Sequence, residues 1–132
     1  MKKWTIDAGT YDTCIILLVG EDKERIQSFL RKHFGCDDLV HEWDCLGLHY
    51  YCKGTKSVVW IPKRPKTEKE YATLTHELLH ATFYILNNWA DIPFTKDTQE
   101  AFSHLLGYLT EKCLIKLNQY DMIKRTKKSK KK

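Results

Sequence analysis

Apolar positions in the first half of the chain follow two different periods. Residues 14–19 form a continuous β-favouring run bounded by polar and glycine residues, which predicts a buried strand. Residues 21–34 carry apolar side chains at helical spacing, and Gly35 is suited to end that helix. Two further strand-like runs, at 46–52 and 57–61, are separated by Lys-Gly-Thr-Lys, so we expect a hairpin there.

Helical spacing dominates the second half of the chain. Thr67 followed by Glu70 matches a capping box and predicts a helix that runs to about Asn88. A turn rich in Asn, Asp and Pro follows, and a last helix is expected from near Thr95 to about Asn118 or beyond. The order of strand, helix, hairpin and two helices predicts an α+β fold, with a short mixed or antiparallel sheet packed on the helices.

Composition and charge restrict the class of protein. The 132 residues fit a single domain, which we expect to span residues 1–120. Much of the formal net charge of +5 lies in Lys124 to Lys132, so residues 121–132 are predicted to form a basic, disordered tail. We do not expect nucleic acid as a partner, except through that tail. No secretory signal or membrane-spanning run is seen, and the five cysteines include no Cys-x-x-Cys pair, so we expect a reducing, cytoplasmic environment and no membrane partner. The oligomeric state is left open.

The strongest chemical signal is the sequence His-Glu-Leu-Leu-His at residues 76–80. Residues four apart lie one turn apart on a helix, so His76 and His80 can direct two ring nitrogens at one zinc ion. Glu77 lies about 100° around the helix, where its carboxylate can take a proton from water activated by the metal. Leu78 and Leu79 are expected to face inward. The motif therefore predicts Zn²⁺ bound by His76 and His80.

A catalytic zinc site needs a third protein ligand and an open position. Glu100 is the first candidate, because it begins the next helix after a short turn and lies in an otherwise apolar stretch. A Glu stabilised by the helix dipole is the alternative. His104, one turn later, could instead be the third ligand or support catalysis. Tyr108, a further turn along, could donate to the oxyanion of a tetrahedral intermediate or simply belong to the core.

The motif at residues 76–80, followed by Glu100 and Ala101 on an apolar helix, resembles zincin-type metallopeptidases of the gluzincin kind. The resemblance covers roughly residues 57–117. Its compact spacing is similar to small bacterial and phage-encoded members, including the ImmA/IrrE-like peptidases, although Leu79 stands where those have Gly. The resemblance implies a zincin-like domain, phage or prophage origin, a protein or peptide substrate, Glu77 as general base and Glu100 as third zinc ligand.

Two functions are compatible with these residues. The first is a zinc-dependent metallopeptidase in which Glu77 is the general base. The second is a non-catalytic zinc-binding module that uses the same scaffold for structure or interaction. Structural zinc sites tend to close with four protein ligands and have no use for a free carboxylate beside the metal. The presence of Glu77 therefore favours the enzyme.

Overall fold

The computed structural model describes residues 1–51 and 56–131, and for Tyr120 the backbone only. Four strands and three long helices make up most of this part of the chain. The strands are β1 (Lys2–Asp7), β2 (Cys14–Val19), β3 (Leu48–Tyr50) and β4 (Ser57–Ile61); the helices are α1 (Lys23–Phe34), α2 (Glu68–Phe83) and α3 (Gln99–Ser129). A π-helical segment, Tyr84–Trp89, continues α2 directly.

The strands form one mixed sheet in the order β1-β2-β4-β3. The central pair, β2 and β4, is parallel, and β1 and β3 are antiparallel to their neighbours on either side. This confirms the predicted α+β class with a short mixed sheet. The strands β3 and β4 are adjacent and antiparallel, as a hairpin requires. Residue 52 of the first predicted strand and residues 53–55 of the predicted connection lie outside the described residues. The strand β1 was not predicted, although Trp4 and Ile6 alternate with polar residues along it.

The sheet separates two apolar layers. Alternate side chains of β2 and β4 point to opposite faces, so both strands are buried on both sides and have continuous apolar sequences. One face packs against α2 and α3, and the other against α1. The first layer includes Ile15, Leu17, Val59, Ile61, Leu74, Leu78, Leu105 and Leu109; the second includes Leu18, Val58, Trp60, Ile26 and Leu30.

Local sequence signals set the helix ends. The Asp22 side chain accepts hydrogen bonds from the first turn of α1, and Gly35 ends that helix with a φ of 63°. At the start of α2 the predicted capping box is confirmed: the Thr67 hydroxyl accepts from the Glu70 N–H, and the Glu70 carboxylate accepts from the Thr67 N–H. The helix that carries the His-Glu-Leu-Leu-His motif therefore begins where the sequence indicates.

The C-terminal part of α3 differs from expectation. The helix continues to Ser129, so residues 121–129 are helical rather than a disordered tail. Lys and Arg are good helix formers, and their charge interacts favourably with the carbonyl end of a helix. Arg64 also forms an ion pair with Asp121, which ties this part of α3 to the loop before α2. Among the described residues, no helix combines the length and apolar character needed to cross a membrane.

Candidate metal centre

The imidazoles of His76 and His80 lie side by side on the exposed face of α2. Their Nε2 atoms are 3.1 Å apart and their ring centroids 4.7 Å apart, with the ring planes at 78°. Two nitrogens bound to one tetrahedral zinc at about 2.0–2.1 Å would lie about 3.3 Å from each other. The separation of these two nitrogens is therefore close to that of two adjacent ligands on one metal ion, although without a metal it is also a hydrogen-bond distance between the rings.

Glu77 lies on the inner side of the same helix turn. It is only 8% exposed, and its carboxylate accepts a hydrogen bond from the backbone N–H of His49. Burial raises the pKa of Glu77 above its usual value, while nearby His76 and His80 act in the opposite direction. A carboxylate with a raised pKa is a better proton acceptor near neutral pH than a fully solvated one.

The two leucines of the motif do not share one environment. Leu78 is fully buried in the layer between α2 and the sheet, as expected. Leu79 is 41% exposed, so the expectation that both face inward was wrong for this residue. Consecutive residues on a helix differ by about 100°, so Leu79 lies outside the buried face of α2, which continues from Leu78 to Ala81 and Thr82.

The segment that leads into β3 comes unusually close to α2. A Cβ atom added to Gly47 would lie 2.9 Å from Thr73 Cγ2, 3.1 Å from Glu77 Cγ and 3.2 Å from the Trp60 carbonyl oxygen. Only a glycine permits this approach without displacing a neighbour. The contact brings the start of β3 against the turn of α2 that carries Glu77.

His49 is a residue near the motif to which no site role was assigned from the sequence. Its Nε2 atom is buried and has no hydrogen-bond partner within the described part of the chain. Its ring centroid is 6.2 Å from that of His80, and the two rings are nearly parallel at 13°. Burial, and then the nearby His80, lowers the pKa of His49 to about 4, so this imidazole is neutral at pH 7.

A cavity of about 240 Å³ opens beside these rings. The aromatic rings of Tyr51 and Tyr84 line it, with centroids 4.3 Å apart. Asn87 and Asn88, from the π-helical segment, contribute amide groups to the same wall. Because His80 also lines this cavity, a bound molecule could contact this candidate metal ligand and the polar amides at the same time.

The remaining predicted site residues are not gathered around the His76–His80 pair. Glu100 and His104 are on the first turns of α3, where their side chains are 81% and 84% exposed and lie 3.5 Å from each other. Tyr108 packs against Gly9, with the Lys112 ammonium over its ring. In residues 1–51 and 56–131, no group of three or more His, Cys, Asp or Glu side chains converges as a metal site. The assignment of Glu100 as third ligand therefore stays a prediction.

The residues that are present nevertheless fit a zinc ion. Two imidazole nitrogens have the separation expected of zinc ligands. A third, Nε2 of His49, is buried and has no hydrogen-bond partner among residues 1–51 and 56–131. Sequence spacing could not reveal His49, because its neighbour His80 is distant in the chain. The two rings come together through the β3–β4 pairing and the close approach at Gly47. No family model, curated protein or solved structure matches this chain.

Proposed function

We propose that this protein is a zinc-dependent metallopeptidase that hydrolyses peptide bonds with Glu77 as general base. The observation that carries the proposal is the 3.1 Å separation of the His76 and His80 ring nitrogens, with the Glu77 carboxylate on the turn between them. Zinc, when bound, would supply Lewis-acid polarisation of the substrate carbonyl and acidify water. The proposed setting is a reducing compartment such as the cytoplasm, which suits the free thiols of Cys14, Cys36, Cys45 and Cys113.

The protein side chains have separate roles in this mechanism. His76 and His80 hold the metal as neutral imidazoles. Glu77 accepts a proton from the attacking water and then returns it to the leaving amine, which a carboxylate with a raised pKa can do. The hydrogen bond from the His49 backbone N–H fixes the direction of that carboxylate. The proposed mechanism therefore needs both α2, which carries Glu77, and β3, whose backbone orients the Glu77 carboxylate.

The position of β3 supports an extended peptide as the substrate. In the strand order of the sheet, β3 is an edge strand. One of its two sides pairs with β4, and the other is the outer edge of the sheet. A terminal strand can bind an extended chain by adding it to the sheet. Because His49 belongs to β3, a peptide bound in this way would pass close to the candidate metal centre.

The test compares the full-length wild type with His76→Ala, His80→Ala and Glu77→Gln. Wild type should hold close to one zinc, and each histidine variant should lose most of it. Glu77→Gln should keep zinc and fold while peptide hydrolysis falls by about 10² or more. A search of a proteome-derived peptide library would supply the cleavable substrate.

Two results would contradict the proposal. Equal zinc content in wild type and a His76→Ala/His80→Ala double variant would reject the metal site. Unchanged hydrolysis in Glu77→Gln would reject the role of the carboxylate. Zinc binding without cleavage of any peptide would instead favour the non-catalytic zinc-binding module.

A further inference from the structure

We propose that His49 on β3 is the third protein ligand, so that the metal is held by three imidazoles from His49, His76 and His80. This inference rests on the proposed zinc site and specifies its ligand set. It differs from the expectation that Glu100 or His104 completes the site. Three features of His49 support this role: the direction of its side chain, its ring spacing to His80 and the close approach of β3 to α2.

Strand geometry directs His49 toward α2. Side chains alternate between the two faces of a strand. On β3, the neighbours Leu48 and Tyr50 pack in the layer shared with α1. His49 therefore points to the opposite face, where its ring is near His80 and Tyr84. This is the face of the sheet that α2 covers.

The spacing between the His49 and His80 rings needs only a small adjustment. Imidazole centroids of two ligands on one tetrahedral zinc are about 5 Å apart. The His76–His80 pair, at 4.7 Å, already meets this spacing, and the His49–His80 pair is at 6.2 Å. A closure of about 1 Å by the His49 ring would bring it to ligand spacing from His80. The buried Nε2 atom gives up no hydrogen bond in that movement, because it has no partner among the described residues.

The backbone of β3 is already fixed beside the metal ligands. Gly47 allows the strand to approach Thr73 and Glu77 more closely than any other residue would. The Glu77 carboxylate also accepts from the His49 N–H, which links the two elements at the residue in question. A ligand on such a support loses little freedom on metal binding.

Glu100 has the opposite surroundings. Its side chain is 81% exposed and lies beside His104, which is 84% exposed. A carboxylate in the first turn of α3 is stabilised by the helix dipole, and this accounts for its presence without a metal. To ligate the metal, it would have to leave solvent and separate from His104.

The first experiment measures zinc affinity of the full-length protein by competition with a chromophoric chelator. His49→Phe keeps an aromatic ring in the same place but removes both nitrogens. We expect it to weaken zinc binding by about 100-fold or more, beyond the loss typical of residues that only orient a ligand. Glu100→Gln, His104→Ala and Cys45→Ser are the matched controls and should bind zinc as wild type does.

The second experiment replaces the nitrogen with a sulfur. Full-length His49→Cys loaded with Co²⁺ should gain a thiolate-to-cobalt charge-transfer band in the near ultraviolet. Wild type loaded with Co²⁺ should lack this band. A merely structural residue at position 49 would not produce it, because the signal needs a direct sulfur–metal bond.

The outcomes separate this inference from the proposed function. If wild type binds zinc through His76 and His80, but Glu100→Gln weakens binding while His49→Phe does not, the inference is overturned and the zinc site stands. A cobalt–thiolate band already present in wild type would also overturn it, because a cysteine would then be a ligand. If wild type binds no zinc at all, the proposed function fails first.

Discussion

Substitution of Gly47 tests how closely β3 must approach α2, the helix that carries the His-Glu-Leu-Leu-His motif. In Gly47→Ala, the new methyl group would lie 2.9 Å from Thr73 Cγ2 and 3.1 Å from Glu77 Cγ. It would also lie 3.2 Å from the carbonyl oxygen of Trp60, a backbone atom of β4 that cannot rotate away. Several neighbours must therefore shift together. Overpacking of this kind typically costs about 1–3 kcal/mol, and we expect a loss of that size in the free energy of unfolding.

Gly107 provides the matched control in the same protein. It is exposed in the interior of α3, and a Cβ atom added there would meet no atom within 4 Å. Gly107→Ala should therefore stabilise the protein by about 0.5–1 kcal/mol, because alanine loses less backbone entropy in a helix. The two substitutions have identical chemistry and opposite predicted signs.

Urea unfolding followed by circular dichroism measures both variants against wild type. A third variant, Gly47→Ala/Thr73→Ser, removes the Cγ2 atom that makes the shortest contact and should recover part of the loss. Gly47→Ala that is as stable as wild type would refute the reasoning, since β3 and α2 could then separate without cost. Zinc affinity of the same variant would report whether the displacement reaches the histidine pair.

Three other measurements test the packing and ionisation of the domain. Leu78→Ala should cost about 2–5 kcal/mol in urea unfolding because Leu78 is fully buried, whereas Leu79→Ala should change little because Leu79 is 41% exposed. Hydrogen bonds from the backbone, and then the Lys63 ammonium, lower the pKa of Glu70. Wild type should therefore be more stable than Glu70→Gln above about pH 4.5. This difference in stability should be lost as the pH falls through the lowered pKa of Glu70. Burial raises the pKa of Cys113 to about 12, so a thiol reagent at mildly alkaline pH should modify it only after unfolding; rapid modification of Cys113 in the native protein would contradict this.

Local signals predicted much of the secondary structure, because each depends on a few neighbouring residues. The capping box at Thr67 and the glycine at position 35 are complete within one helical turn. The strand β1 was missed because only Trp4 and Ile6 mark its inner face, and lysines precede them. The π-helical continuation of α2 was not predicted as such, since an α-helix to about Asn88 has the same apolar pattern.

The candidate site was predictable only where its residues share a helix. His76, Glu77 and His80 are recognisable because helical spacing alone brings them together. His49 joins them through the pairing of β3 with β4 and the close approach at Gly47, and neither contact leaves a periodic signal. For Glu100, the sequence gives the helix but not the direction of the side chain, which is exposed beside His104.

The parallel pairing of β2 with β4 also constrains the order in which the chain can assemble. The antiparallel pair β1–β2 is local in sequence and can form early during synthesis. The pairing of β2 with β4 can form only later, because Ile15 pairs with Ser57. Bringing such distant segments together costs loop-closure entropy before the strands make any stabilising contact, and this slows folding. In a nascent chain that has not reached β4, one edge of β2 stays open, and its apolar residues are available to other strands. Until residues 57–61 are complete, we therefore expect this edge of β2 to be a site at which the nascent chain can aggregate.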